Sequence, residues 1–157
     1  MNQHEKFLKM AINLAKKSAK EGLGGPFGAV IVKNGKVIAK AHNSVVPNSD
    51  PTAHAEVNAI REACKKLKDF ELKDCIIYAS AEPCPMCLGA IYWTRPKALY
   101  YAADKKLAAK AGFDDSFIYK EIALPKNKRK IKTTKVNLPQ DNDPFEEWAK
   151  NTNKTEY

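Results

Sequence analysis

Phe27-Gly28-Ala29-Val30-Ile31-Val32-Lys33-Asn34-Gly35-Lys36-Val37-Ile38-Ala39-Lys40-Ala41-His42-Asn43 decides how this chain of 157 residues folds. Two apolar-rich runs, Phe27 to Lys33 and Lys36 to Asn43, flank Asn34-Gly35. Asn-Gly supplies both positive-φ residues of a type I′ turn, whose twist matches that of paired strands. The stretch predicts an antiparallel hairpin.

Upstream, Phe7, Met10, Ala11, Leu14 and Ala15 recur three and four apart, with Ser18 next on the stripe and Lys on the opposite face. That spacing predicts an amphipathic helix, stopped by Gly22 and Gly24-Gly25-Pro26. Downstream of the hairpin, Val57, Ile60, Ala63, Cys64 and Leu67 mark a second helix behind Asp50-Pro51-Thr52. Cys75 to Ser80 reads as a buried strand, Pro85 to Tyr92 as a helix ending before Pro96, and Ala98 to Ala102 as another strand. The alternation predicts βαβ units and a central sheet covered on both faces. Further along, Lys105 to Ala111 and Ser116 to Glu121 read as helices and Lys132 to Val136 as an edge strand. Asp143-Pro144-Phe145-Glu146 opens a last helix to about Lys150, with Asp143 as its N-cap. No repeat and no domain-sized linker interrupts the chain, so residues 1–157 are expected to form a single domain.

With 44% hydrophobic and 29% charged residues the composition is globular, which excludes disordered and collagen-like classes. The longest apolar run in the strand-like regions, Ala29-Val30-Ile31-Val32, is far below the ~18 residues that span a bilayer, so no membrane partner is expected. The first residues, Met1-Asn2-Gln3-His4-Glu5-Lys6, lack the apolar core of a secretory signal, and the expected location is the cytoplasm. Four cysteines in that compartment point to metal or catalytic thiolates before disulfides. Lys and Arg number 27 against 18 Asp and Glu, a net charge of +9. Much of the excess sits at Lys126, Lys128, Arg129, Lys130, Lys132 and Lys135, where no aromatic interleaves the charges. A solvated basic segment is the plainer reading, and an RNA partner the alternative.

His54-Ala55-Glu56 opens the second helix, and Pro83-Cys84-Pro85-Met86-Cys87 opens the third, thirty residues later. One neutral imidazole and two thiolates are donors Zn²⁺ prefers, and three protein ligands leave one corner of its tetrahedron for water. Two thiolates offset the ion's charge, so that water needs a nearby base, which Glu56 provides. Residues two apart on a helix point about 200° from each other, so His54 and Glu56 can share a site only beyond the helix's N-terminal end. At such an end, free backbone N–H groups and the helix dipole depress thiol pKa values. Cys64, on an apolar stripe, and Cys75, at a strand start, read as small buried hydrophobes.

The H-x-E and P-C-x-x-C pairing resembles the signature of the zinc-dependent base deaminases, the cytidine-deaminase-like superfamily. Within it the chain resembles the bacterial guanine deaminases over nearly its whole length. The resemblance runs through Gly24-Gly25-Pro26-Phe27-Gly28-Ala29-Val30-Ile31-Val32, Asp50-Pro51-Thr52-Ala53-His54-Ala55-Glu56-Val57 and Glu82-Pro83-Cys84-Pro85-Met86-Cys87-Leu88-Gly89-Ala90-Ile91-Tyr92-Trp93. The zinc segments also suit tRNA adenosine deaminases. Ala111-Gly112-Phe113-Asp114-Asp115-Ser116-Phe117-Ile118-Tyr119 and the terminal Glu156-Tyr157 are similar to the guanine enzymes.

The resemblance implies a three-layer α/β/α fold around a five-stranded mixed sheet and one Zn²⁺ per subunit on His54, Cys84 and Cys87. It implies Glu56 as proton shuttle and Asp115 as a carboxylate that receives purine N–H groups and assists proton transfer. It also implies Asn43 and the backbone of Ala55 facing the base, with Phe27, Trp93 and Tyr157 as aromatic walls. The implied partners are a small purine and a second copy of the chain, with the segment from about 125 to 157 exchanged in a homodimer. Each carries a plainer reading: Phe27 and Trp93 as core aromatics, Asn43 as a turn residue, Asp115 as a helix cap and Tyr157 as a frayed end. A deaminase acting on RNA adenosine or cytosine, and a zinc-stabilised binding module with a fourth protein ligand, remain as alternatives.

Overall fold

The computed structural model describes residues 2–157, which divide after Asp115 into two units. In the first, Asn34 and Gly35 take φ values of 50° and 74° and close the expected hairpin of β1 (Gly28–Lys33) and β2 (Lys36–His42). The strands pair antiparallel from Gly28↔His42 to Lys33↔Lys36, with an irregularity between Ile31 and Val32. β3 (Cys75–Ala81) lies antiparallel to the other side of β1, and β4 (Ala98–Ala103) lies parallel to β3, giving the order β2-β1-β3-β4. Parallel neighbours need a long crossover, and α4 (Pro85–Thr94) supplies it.

Successive residues of a strand face opposite sides, and the sheet uses both. Val30, Val32 and Tyr78 meet Phe7 and Ala11 of α1 (Gln3–Lys20) on one side. Ala29, Ile31 and Ile77 meet Ala55, Ala59 and Ala63 of α3 (Ala55–Leu67) and Ile91 of α4 on the other. The expected helix, sheet and helix layers are present. A short helix, α2 (Val45–Asn48), lies between β2 and α3 and has no forecast in the sequence reading; its only length is one turn, too short for a periodic signal. α5 (Lys105–Lys110) completes this unit.

The sheet has four strands rather than the expected five, and no further strand pairs with β4 among the described residues. Lys132 to Val136 forms no strand. Lys132, Thr133, Thr134 and Lys135 offer no apolar face to bury against a sheet, and the Thr133 hydroxyl donates to the Ile131 carbonyl instead.

The second unit holds α6 (Ser116–Ala123), a 3-10 turn (Lys126–Lys128) and α7 (Asp143–Lys150). The Arg129 guanidinium donates to the carbonyls of Ile122 and Leu124 at 3.1 Å, closing the end of α6. The N-cap of α7 is Asn142, one residue before the expected Asp143; its side-chain amide donates to Glu146 at 2.8 Å. No residue from 116 to 157 is buried. No helix among the described residues is long and apolar enough to cross a membrane.

The seat of α1 on β1 is tight. A methyl group added at Gly28 would lie 2.3 Å from the Ala11 carbonyl oxygen, whereas the Ser18 hydroxyl, on the same helix, is buried with no hydrogen-bond partner. Gly28→Ala is expected to lower stability by about 1–3 kcal/mol through overpacking, and Ser18→Ala to raise it by about 1 kcal/mol by removing an unsatisfied hydroxyl. Urea denaturation of both variants reads the two opposite signs.

Candidate active site

Two helix starts meet on one side of the sheet. Asp50 turns the chain into α3, its carboxylate accepting the Thr52 N–H at 2.8 Å and the Thr52 hydroxyl at 2.7 Å. His54 then sits at the N-cap of α3 in extended backbone, its ring unused by any capping bond. Cys84 holds the equivalent place on α4, also extended and followed by Pro85 in the first turn. The expected placement beyond two helix ends is what the structure shows.

His54 Nδ1 lies 3.6 Å from Cys84 Sγ and 3.4 Å from Cys87 Sγ. All three donor atoms fall within 4.8 Å of one another, the one His/Cys/Asp/Glu group of this kind among the described residues. A tetrahedral Zn²⁺ with Zn–S of about 2.3 Å and Zn–N of about 2.0–2.1 Å separates nitrogen from sulfur by about 3.5 Å. The three side chains fit that ion. Cys64 is half-buried and Cys75 buried, and burial pushes both thiols up, as for inert core cysteines.

The two sulfurs shift each other in opposite directions. Hydrogen bonding from Cys87 lowers the Cys84 thiol to about 4, against the cost of burial, with His54 and the Cys87 backbone N–H assisting. Cys87 is pushed the other way by its bond to Cys84 and by burial. The hydrogen bond with Cys84 raises His54. Glu56 follows His54 by two residues, is 7% exposed, and brings Oε2 to 3.5 Å from Cys87 Sγ. Burial pushes its carboxyl up, the direction a proton shuttle working near neutrality requires.

Around this group the structure sorts the other candidates. Asn43 is buried, and its Oδ1 accepts the N–H groups of Gly25 at 3.1 Å and Val45 at 3.2 Å. The turn role holds, and because both donors fix which end is oxygen, Nδ2 remains as a donor. Gly24 is required beside it, since a Cβ there would meet the Asn43 carbonyl at 2.0 Å. Ala55 is fully buried as the first residue of α3. Asp115 is half-buried; burial and then the charge of Cys84 push its carboxyl up, while its own backbone N–H and the Lys105 ammonium pull it down. Trp93 is 62% exposed, which excludes the core reading. Phe27 packs partly on the core and meets Phe113 edge-on at 4.9 Å. Tyr157 belongs to the second unit and is 72% exposed.

Phe113 is the residue that the sequence reading passed over as an individual. Its signal was Gly112, whose φ of 93° marks the turn that presents it. A groove of about 570 Å³ in the first unit is lined by residues that include Ile12, Phe27, Ala103, Leu107 and Phe113, and by none of His54, Glu56, Cys84 or Cys87. It is apolar surface beside the site rather than the site.

Comparison with known proteins gives one consistent result. Residues 1–103 match the family model of the cytidine and deoxycytidylate deaminase zinc-binding region. The chain is 58% identical over 154 residues to guanine deaminase of Bacillus subtilis, covering 98% of this chain and 99% of that one. The crystal structure of that guanine deaminase superposes with a TM-score of 0.97 over 100% of this chain and 99% of the other. The tRNA-specific adenosine deaminase of Aquifex aeolicus is 48% identical over 103 residues, 65% of this chain and 68% of its own length.

The paired sulfurs are separable by chemistry. In metal-stripped protein at pH 6, iodoacetamide is expected to label Cys84 first, because its thiol lies at about 4 and is ionised there, while Cys75 stays unlabelled until the protein is denatured. Added Zn²⁺ should suppress the Cys84 reaction; peptide mapping by mass spectrometry reads both.

Proposed function

This chain belongs to the cytidine and deoxycytidylate deaminase family of zinc-binding proteins, and from that premise we propose that it hydrolyses guanine to xanthine and ammonia. The observation that carries the choice of substrate is the extent of the likeness. Identity to a guanine deaminase covers 98% of this chain, including the segment after residue 103, whereas the match to a tRNA adenosine deaminase covers 65%.

His54 Nδ1, Cys84 Sγ and Cys87 Sγ would hold one Zn²⁺ per subunit. When bound, that ion supplies Lewis acidity that makes water nucleophilic and steadies negative charge on oxygen. Glu56 takes the proton from the water that adds to C2 of guanine and delivers it to ring N3. Burial pushes its carboxyl up, which suits it to hold that proton between the two transfers. The proton still on the added oxygen then passes through Glu56 or Asp115 to the exocyclic amine, the C2–N bond breaks, and ammonia leaves as the C2 carbonyl of xanthine forms. Asp115 receives purine N–H groups, Asn43 Nδ2 and the Ala55 backbone face the base edge, and Phe27 and Trp93 wall the ring.

Tyr157 reaches this site from a second copy. Residues 1–157 make a single domain of a homodimer, and its segment from about 125 to 157 is exchanged between the two copies. Two features support exchange: no residue from 116 to 157 is fully buried, with Phe145 and Tyr157 both at least 70% exposed, and among the described residues no further strand pairs with β4.

Glu56→Ala is expected to keep zinc, read by metal analysis, and to lose about 10²–10⁴-fold in kcat on guanine. Ammonia release from guanine, adenosine, cytosine and a tRNA anticodon stem separates the readings; turnover of the stem and not of guanine would overturn this one.

Exchange has its own readout. Glu56→Ala and Tyr157→Ala chains, each impaired alone, should regain about a quarter of normal activity when unfolded together and refolded, since random pairing gives half heterodimers with one intact site. No recovery means that Tyr157 serves its own subunit.

A further inference from the structure

Glu82 directly follows β3, two residues before Cys84. Its side chain is three-quarters buried and spans to α5, twenty-three residues later. Oε2 accepts the backbone N–H of Lys105 at 3.1 Å, and Oε1 lies 3.8 Å from the Lys105 ammonium. α5 is only six residues long, and so short a helix holds its shape through its ends. Asp104 takes the Leu107 N–H at 3.0 Å and Glu82 takes that of Lys105, the second a charge-assisted bond reaching in from another element.

What α5 carries gives the bond its importance. The Ala108 carbonyl accepts the Phe113 N–H at 3.0 Å and the Ala109 carbonyl that of Gly112 at 3.0 Å, so the turn after α5 is built on α5 itself. That turn sets Phe113 edge-on against Phe27 and leads directly into Asp115. The Lys105 ammonium, held beside Glu82, also acts on the Asp115 carboxylate. We infer that Glu82 is a positioning residue for Asp115, tethering the start of α5 to the metal-binding loop so that Phe113 and Asp115 are held in register with the metal ligands.

The inference rests on the proposed guanine chemistry for its kinetic arm. Glu82→Ala should lower kcat/KM for guanine about tenfold with zinc content unchanged, the size expected for losing one hydrogen bond to a charged group. Glu82→Gln keeps an acceptor for the Lys105 N–H and should stay within about threefold of the parent. The decisive measurement is the cycle with Asp115→Asn: if Glu82 acts through Asp115, Glu82→Ala costs less than about twofold in that background. A full tenfold loss there, a loss of zinc parallel to activity, or a Glu82→Ala protein as active as the parent overturns the inference. Hydrogen exchange reads it without substrate. Faster exchange across residues 104–115 in Glu82→Ala, restored in Glu82→Gln, supports the tether, and unchanged exchange defeats it. Absence of guanine turnover in the parent protein would refute the proposed function and leave the exchange result to decide the tether.

Discussion

The structure depends on two helices that begin at the same point. An α-helix start leaves backbone N–H groups without internal partners and concentrates positive charge there, so it favours anionic donors. Cys84 at the N-cap of α4 has its thiol lowered first by the Cys87 side chain, then by His54 and by the Cys87 backbone N–H at the helix start. The same end geometry lets His54 and Glu56, two residues apart, serve one centre, which a helix flank forbids. α3 and α4 are brought there by packing on one face of the sheet, through Ala55, Ala59, Ala63 and Ile91. Core and chemistry are therefore the same construction seen from two sides.

The charges in this centre are interdependent. Cys84, Cys87 and His54 bias one another's protonation, and Glu56 is buried against Cys87. Three donors lie at distances that match a tetrahedral ion, and no other His, Cys, Asp or Glu joins their cluster among the described residues. Around the donors the rim is built from turns: the Gly24 approach to Asn43, the edge-on pair of Phe27 and Phe113, and the Glu82 bond to α5.

The hairpin, both faces of the sheet and the members of the His54, Cys84 and Cys87 cluster were legible because each is a local or periodic signal. Asn34-Gly35 needs positive φ, and the stripe from Phe7 to Ser18 repeats at the helical period. α2 was not legible, since one turn carries no period, and Lys132 to Val136 read as a strand only while its neighbours were unknown. Strand formation is settled by a partner edge rather than by propensity. Phe113 escaped notice because its meaning lies in contact with Phe27, 86 positions away in the chain.

By itself the sequence determined the hairpin, the longer helices, the strands β3 and β4, their order and the donor types, since turn chemistry, periodicity and ligand chemistry are written in neighbouring residues. Only the tertiary structure decided that His54 Nδ1 faces both sulfurs at 3.4 and 3.6 Å, that Asn43 has one amide end occupied, and that Glu82 reaches α5. Those facts join residues distant along the chain, and their geometry follows from how helices seat on a sheet, which no local pattern encodes.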